Sequence, residues 1–247
     1  MTIPFEPTFF GTPINIHLIL EYMAFFIGYR YYAWLRKNTL DKISTQNRLS
    51  IILGAILGAF LGSRLSGYFE NPILTFSTKT IIDLFNTKSI MGGMFGGLLG
   101  VEIAKKIIGE KHSSGDLFVF PIILGIIIGR IGCFLMGIKE FTYGIKTNFI
   151  TGMDLGDGYL RHPIALYEIV FLLLLFIFLK KIKKYLQKEN GLLFKLFMIS
   201  YFGFRFCIEF IKPNVFYVLY LSSIQWLCII CWTYYLPTLK KLIKNAN

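Results

Sequence analysis

The sequence predicts an all-α membrane protein with seven transmembrane helices, the N-terminus outside and the C-terminus cytoplasmic. Three observations lead there. Of 247 residues 55% are hydrophobic, and several apolar runs reach the roughly 20 residues a helix needs to cross a bilayer. The basic residues cluster between those runs and favour alternate loops. Trp, Tyr and Phe gather near several run ends, as in the aromatic belts of membrane interfaces.

The expected spans are Ile14–Leu35, Leu49–Phe69, Ile90–Ile108, Leu117–Gly137, Pro163–Lys180, Leu192–Ile211 and Val215–Pro237. The third is the weakest of the seven, being rich in glycine and holding Glu102. One set of loops carries fifteen basic residues, among them Arg36, Lys37, Lys105, Lys106, Lys180, Lys181 and Lys240, against six in the other set. The positive-inside rule assigns the richer set to the cytoplasm. The net charge of +12 is then explained by anionic lipid headgroups and topology rather than by nucleic acid. The opening MTIPFEPTFFG has no basic n-region, so no cleavable signal peptide is expected. Cys133, Cys207, Cys228 and Cys231 all fall in apolar runs without disulfide or zinc spacing, so no metal site and no cofactor are expected. No internal repeat is evident, and residues 1–247 read as a single polytopic domain. The outside loops, about 70–89 and 138–162, form its expected periplasmic cap. The first holds the apolar fragment Ile81–Phe85, suited to lying along the interface.

The chain is organised around Leu124–Gly144. Gly125, Gly129 and Gly132 share one helical face, which lets a neighbouring helix or a headgroup come close. Arg130 stands inside that helix. An intramembrane arginine is costly and persists where it lines a wet or protein-walled cavity. Two readings are open for it: an anion site offering five donors, or a structural arginine paired to a carboxylate on another helix. The topology adds a pattern. Glu21, Arg64, Arg130, Glu168, Arg205 and Glu209 all fall about 3–10 Å below the outer ends of their helices, at 1.5 Å per residue. Snorkelling would populate both leaflets, so the pattern favours a site for an anion presented from the outer leaflet, and it speaks against a channel. For Arg205 and Glu209 an i,i+4 ion pair is the alternative.

These residues resemble a known family. Gly129-Arg130-Ile131-Gly132, then Phe134, Gly137 and Gly144, is similar to the signature of the bacterial prolipoprotein diacylglyceryl transferases. Gly62-Ser63-Arg64-Leu65 with Tyr68 and Asn71-Pro72 resembles the family's second-helix motif. Gly96-Gly97-Leu98-Leu99-Gly100 resembles its glycine turn. Arg161-His162-Pro163 with Leu166-Tyr167-Glu168 resembles the motif opening its fifth helix, and Arg205-Phe206 with Glu209-Phe210 and Pro213 its last motif. The resemblance implies transfer of a diacylglyceryl group from phosphatidylglycerol to the cysteine thiol of a lipoprotein precursor, at its signal peptide, in the bacterial inner membrane, with release of glycerol phosphate. It implies phosphate contacts from Arg64, Arg130, Arg205, Gly96 and Gly97, with support from Tyr167, Glu168, Glu209 and Cys133. Arg130 and Arg205 would stabilise charge on the leaving group.

The chain also departs from the family's pattern. Phe95 stands where the family's histidine precedes the glycine pair. Cys133 and Met136 replace two asparagines of the fourth-helix motif and Ile138 replaces its glutamate, with Glu140 two residues on. The tyrosine usual in the first helix falls near Glu21 or Tyr22. Thiol activation is therefore expected to differ from the family's. His162 and Glu140 lie on the right side to supply the base, with His17 the weaker choice. His162 has a second reading, orienting the start of the fifth helix beside Pro163. Cys133, one turn from Arg130, is either a packed core residue or a thiol influenced by that guanidinium. The alternatives to the transfer reaction are a related transferase with another acceptor and an inactive phospholipid-binding member of the family.

Overall fold

A computed structural model describes residues 3–70, 87–186 and 191–246. Among them the chain is all-α apart from two short hairpins. Its seven α-helices are α1 (Ile16–Lys37), α2 (Thr45–Glu70), α3 (Ile90–Ile108), α4 (Val119–Met136), α5 (Ile164–Leu186), α6 (Leu192–Ile208) and α7 (Ser223–Ala246). Each overlaps one expected run. The interfacial fragment Ile81–Phe85, Lys79 and the pair Asn71-Pro72 lie outside the described residues. By length and composition, Thr45–Glu70 and Asp116–Lys139 are helical stretches able to cross a membrane.

Local chemistry sets several boundaries. Asn15 caps α1, its side chain accepting from Leu18 N at 3.1 Å, and Arg36 and Lys37 sit in the last turn, where the helix dipole favours cations. α3 stops at Gly109, whose φ of 71° is left-handed and whose N–H reaches back to Lys105 O. α7 starts eight residues later than its apolar run. Ser222 N donates to Gln225 Oε1 at 2.8 Å and Gln225 N to Ser222 Oγ at 3.2 Å, a reciprocal capping box that fixes the helix start. The residues before it turn through a 3-10 segment, Val218–Tyr220, closed by a Phe216–Ser222 bridge. The α7 backbone then runs through Pro237, which removes one hydrogen-bond donor from the ladder.

The chain divides into two compact units. The first comprises Met1–Leu40, Gly115–Ser200 and Phe210–Pro213. There α1 packs on α4, and α4 on α5. An N-terminal hairpin pairs β1 (Thr8–Phe9) with β2 (Thr12–Pro13). The α4–α5 connection, expected as a polar loop or small cap, holds a second hairpin, β3 (Met153–Asp154) with β4 (Leu160–Arg161). Asp157 anchors it, accepting from Arg161 Nε at 2.8 Å and Nη2 at 2.6 Å. The guanidinium holds the Asp157 carboxyl below the usual carboxylate range, and Asp157 in turn raises Arg161.

The second unit comprises Asp41–Ser114, Tyr201–Glu209 and Asn214–Asn247. Its centre is the α2–α3 pair, which α7 joins. Gly54, Gly58 and Gly62 meet Gly92, Gly96 and Gly100 backbone to backbone. A Cβ added at Gly62 would stand 2.9 Å from Gly96 Cα, and one at Gly58 3.0 Å from Gly100 Cα. Such small-xxx-small stripes let helices associate without a hydrophobic driving force. Leu53, Ile56, Leu57, Leu61 and Leu65 of α2 remain exposed.

Candidate functional site

In the first unit, α4 carries Arg130 about one turn before Cys133, and both are buried, at 5% exposure each. Arg130 Nε lies 2.9 Å from Glu168 Oε1 on α5, and that carboxylate is fully buried. Of the two readings open for Arg130, the structural one is thus realised at one nitrogen: the guanidinium has a carboxylate on another helix. The pairing also fixes the fork's orientation, since Glu168 is rooted one turn into α5. Arg130 Nη1 reaches Cys133 Sγ at 3.8 Å. A thiol is only a weak acceptor.

Cys133 has a second neighbour. His17 Nε2 lies 3.8 Å from its sulfur, and His17 Nδ1 lies 2.7 Å from Glu140 Oε1. A carboxylate only accepts hydrogen bonds, so it holds a proton on Nδ1; in the neutral ring Nε2 is then the acceptor that faces the thiol. Three pieces of chain build this row. His17 enters one residue into α1, Cys133 projects from α4, and Glu140 follows the 3-10 turn Gly137–Lys139 that ends α4. Gly132 makes the approach possible: a Cβ there would be 3.0 Å from His17 Cδ2 and 3.2 Å from His17 Cα. Of the three glycines expected to permit close approach, Gly132 does so for α1, whereas a Cβ at Gly129 would meet nothing within 4 Å. The row therefore reads Glu140, His17, Cys133, Arg130, Glu168.

His162 is engaged elsewhere in the same unit. Its Nδ1 lies 3.0 Å from Tyr167 Oη, and Tyr167 Oη also bonds Thr151 Oγ1. Its backbone joins the loop to the helix, accepting from Gly144 N at 2.9 Å and donating to Ile145 O at 3.2 Å. These bonds tie the loop to the start of α5 beside Pro163. Gly144 belongs to the same knot, since a Cβ there would fall 2.8 Å from His162 O.

The remaining candidates lie in the second unit. Arg205 Nη2 meets Glu209 Oε1 at 2.5 Å, with 4% and 0% exposure, so the i,i+4 ion pair is formed. Asn214 Nδ2 donates to the other Glu209 oxygen and, at 3.1 Å, to its carbonyl. Arg64 Nη1 donates to Thr87 O at 2.7 Å, and its guanidinium stands over the Phe60 ring. Gly96 and Gly97 lie in the middle of α3 rather than in a turn, and both face α2: Gly96 in the tight seam, Gly97 at ordinary contact with Ala59.

The pairing of His17 with Glu140 was not legible from spacing, because the two are 123 residues apart. The available signals were a histidine in the opening turn of the first helix and a glutamate displaced two positions from its expected place.

Residues 7–238 match the family model described as prolipoprotein diacylglyceryl transferase. The chain is similar to the phosphatidylglycerol–prolipoprotein diacylglyceryl transferase of Ehrlichia ruminantium (strain Welgevonden), with 36% identity over 213 residues and 78% of each chain covered. It is similar to the protein of the same description from Wolbachia pipientis subsp. Culex pipiens (strain wPip), 31% identical over 220 residues, covering 81% of this chain and 79% of the relative. A third, from Finegoldia magna, is 28% identical over 219 residues, covering 85% and 83%.

Proposed function

The chain belongs to the prolipoprotein diacylglyceryl transferase family, and from that premise we propose that it moves the diacylglyceryl group of phosphatidylglycerol onto the cysteine thiol of a lipoprotein precursor. The observation that carries this is Arg130: a guanidinium 5% exposed in a helix apolar enough to span a membrane, aimed by Glu168 and adjoining a thiol. A fixed fork of that kind suits a phosphodiester. As the glycerol C–O bond breaks, negative charge grows on the departing glycerol phosphate, and a preoriented guanidinium stabilises it there. Arg205, Arg64, Gly96 and Gly97 are proposed as further phosphate contacts, each to be tested by its own substitution. Tyr167 and Glu209 are proposed as supports, through the bonds to His162 and to Arg205 respectively.

The reading extends to setting. We propose seven spans in the bacterial inner membrane, the N-terminus outside, with 138–162 capping the site on the periplasmic side and the signal peptide of the precursor entering there. The exposed leucines and isoleucines of α2 support a lipid-facing role, since a helix apolar all round yet unburied needs an apolar solvent. Cysteine labelling in intact cells should reach a probe cysteine placed at Thr151 and miss one at Lys183.

The deciding experiment incubates purified protein with labelled phosphatidylglycerol and a synthetic lipobox peptide. Lipidated peptide is the expected product. Phe95, where the family's histidine is expected, favours one rival: a phospholipid-binding member without the chemistry. Tight phosphatidylglycerol binding with no peptide product would establish that rival instead.

A further inference from the structure

A phenylalanine can neither take a proton nor give one, so Phe95 supplies no base and the acceptor thiol's proton must go to another group. We propose that Cys133, backed by His17 and Glu140, takes that proton: the acceptor's S–H gives its proton to Cys133 sulfur while Cys133 passes its own to His17 Nε2. This rests on the transferase reading above.

The geometry is that of a relay. Cys133 and His17 are within sulfur hydrogen-bonding distance at 3.8 Å, and Glu140 holds the far side of the ring at 2.7 Å. A nucleophile or acid, a base in reach of it, and a third group orienting the base is the recurring pattern of proton-transfer sites. Exposure grades along it. Cys133 is 5% exposed, whereas the His17 and Glu140 side chains are 22% and 33% exposed, which leaves a route for the proton to water. Cys133 also lines a small cleft with Gly137, Tyr143, Leu155 and Ile164. The charged groups facing the relay are Arg130 on its own helix, with Glu168 of α5 behind it, and Glu140; Lys139 is drawn off to Glu6 at 2.5 Å. Arg130 thus borders both the thiol relay and the proposed leaving phosphate.

Chemistry limits Cys133 to this role. If its sulfur attacked the glycerol carbon itself, the product would be a thioether, which does not surrender its alkyl group to a second thiol. As a proton carrier it is well matched, because it can hand its own proton to His17 Nε2 as it takes the acceptor's, with no charge left on its sulfur. The step balances. The acceptor sulfur loses its proton to Cys133 and forms the S–C bond. The C–O bond of the phosphodiester breaks, and its electron pair leaves with glycerol phosphate. The proton now on His17 returns to water, and Cys133 again carries one proton. Cys133 is the catalytic residue here; His17 and Glu140 are positioning residues that act through it.

The test uses the full chain in phosphatidylglycerol vesicles with two peptides, one carrying the acceptor cysteine and one a selenocysteine in its place. A selenol is already ionised at neutral pH and needs no base. Wild type should transfer to both. Cys133→Ser and His17→Gln should lose about 10²–10⁴-fold in kcat on the cysteine peptide, the usual size of a general-base effect, and under about tenfold on the selenocysteine peptide, with KM for the lipid unchanged. Glu140→Gln should show the same selectivity with a smaller loss. Equal losses on both peptides would make the row structural and overturn the proposal, as would undiminished transfer by Cys133→Ser and His17→Gln, or loss confined to His162→Gln. Wild type active only on the selenocysteine peptide would overturn the relay while leaving the transferase reading intact. Wild type that binds the lipid but uses neither peptide would overturn the transferase reading and the relay with it.

Discussion

Arg48 and Arg130 are both buried arginines, and their partners differ in kind. Arg48, in the second unit, is 1% exposed. It grips Asp41 bidentately, Nε to Oδ2 at 3.1 Å and Nη2 to Oδ1 at 2.5 Å, and its Nη1 donates to Ser114 O at 3.0 Å. Every named partner is a hard oxygen, and all lie in segments flanking α2 and α3. Arg130, in the first unit, has a carboxylate at Nε and a thiol at Nη1. The first arrangement closes a loop and holds it. The second spends a guanidinium on a group with chemistry of its own. The same contrast marks the glycines: Gly58, Gly62, Gly96 and Gly100 weld α2 to α3, whereas Gly132 brings an imidazole beside a sulfur. One region is built for fixed packing and the other for reactive contact.

Breaking the fixed region should show first in stability. Asp41→Ala leaves Arg48 buried without its carboxylate, which typically costs about 3–5 kcal/mol. Thermal unfolding in detergent should register that loss, while transfer per folded molecule stays at the wild-type level. Breaking the other region should show in activity. Arg130→Lys keeps the charge and loses the planar fork, so it should impair transfer and binding of an anionic lipid. Arg130→Gln should be worse, by about 10²–10³ in kcat, as when one donor to a developing oxyanion is removed. An Arg130→Gln protein that folds and binds phosphatidylglycerol like wild type would make Arg130 a second Arg48 and erase the contrast.

Much of the helical frame was readable because a long apolar run favours helix, and each of the seven expected runs overlaps a helix among the described residues. Where a boundary was missed, a polar pair inside an apolar run decided it. Ser222 and Gln225 stop α7 from extending back to Val215, although the intervening Phe216–Leu221 are apolar enough to continue it. The site was readable in its parts. Arg130, Glu168, Cys133 and Glu140 could each be named from motif position, and the pairing of Arg130 with a carboxylate was one of two open readings. The order of the row was not readable, because it depends on how deeply α1 docks at Gly132, a three-dimensional fact with no periodic trace. The glycine run of α3 misled in the opposite sense, since consecutive glycines mark a turn and a tight helix seam equally well.

The glycine contrast gives a smaller effect. Gly96→Ala would place a methyl 2.9 Å from Gly62 Cα and force α2 and α3 apart, an overpacking cost of about 1–3 kcal/mol. Gly129→Ala meets open space and, in mid-helix, should be neutral or stabilising by up to about 1 kcal/mol. Unfolding temperatures of the two variants in the same detergent should therefore move in opposite directions. Equal destabilisation would mean that the faces of α3 and α4 are packed alike.

The smallest expected effect sits beside Arg48 and depends on pH. Glu110 accepts from His112 N at 3.0 Å, from Asn47 Nδ2 at 3.0 Å and from His112 Nδ1 at 2.8 Å. The backbone N–H of His112 does most to favour the charged form, followed by Asn47 and the His112 ring, and the carboxyl is pushed down to about 2. An unfolded glutamate titrates near 4.3. Because the folded value lies below the unfolded one, the contribution to stability is complete above about pH 4–5 and is lost as pH falls toward 2. Comparing wild type with Glu110→Gln isolates it from other carboxylates. The gap between their unfolding temperatures should be steady from pH 7 to 5.5, narrow below about 4.5 and close near 2. A gap that does not change with pH would mean that the bonds to Glu110 stabilise by shape alone, as neutral hydrogen bonds would, and that the charge at this end of α3 contributes nothing to holding the fixed region together.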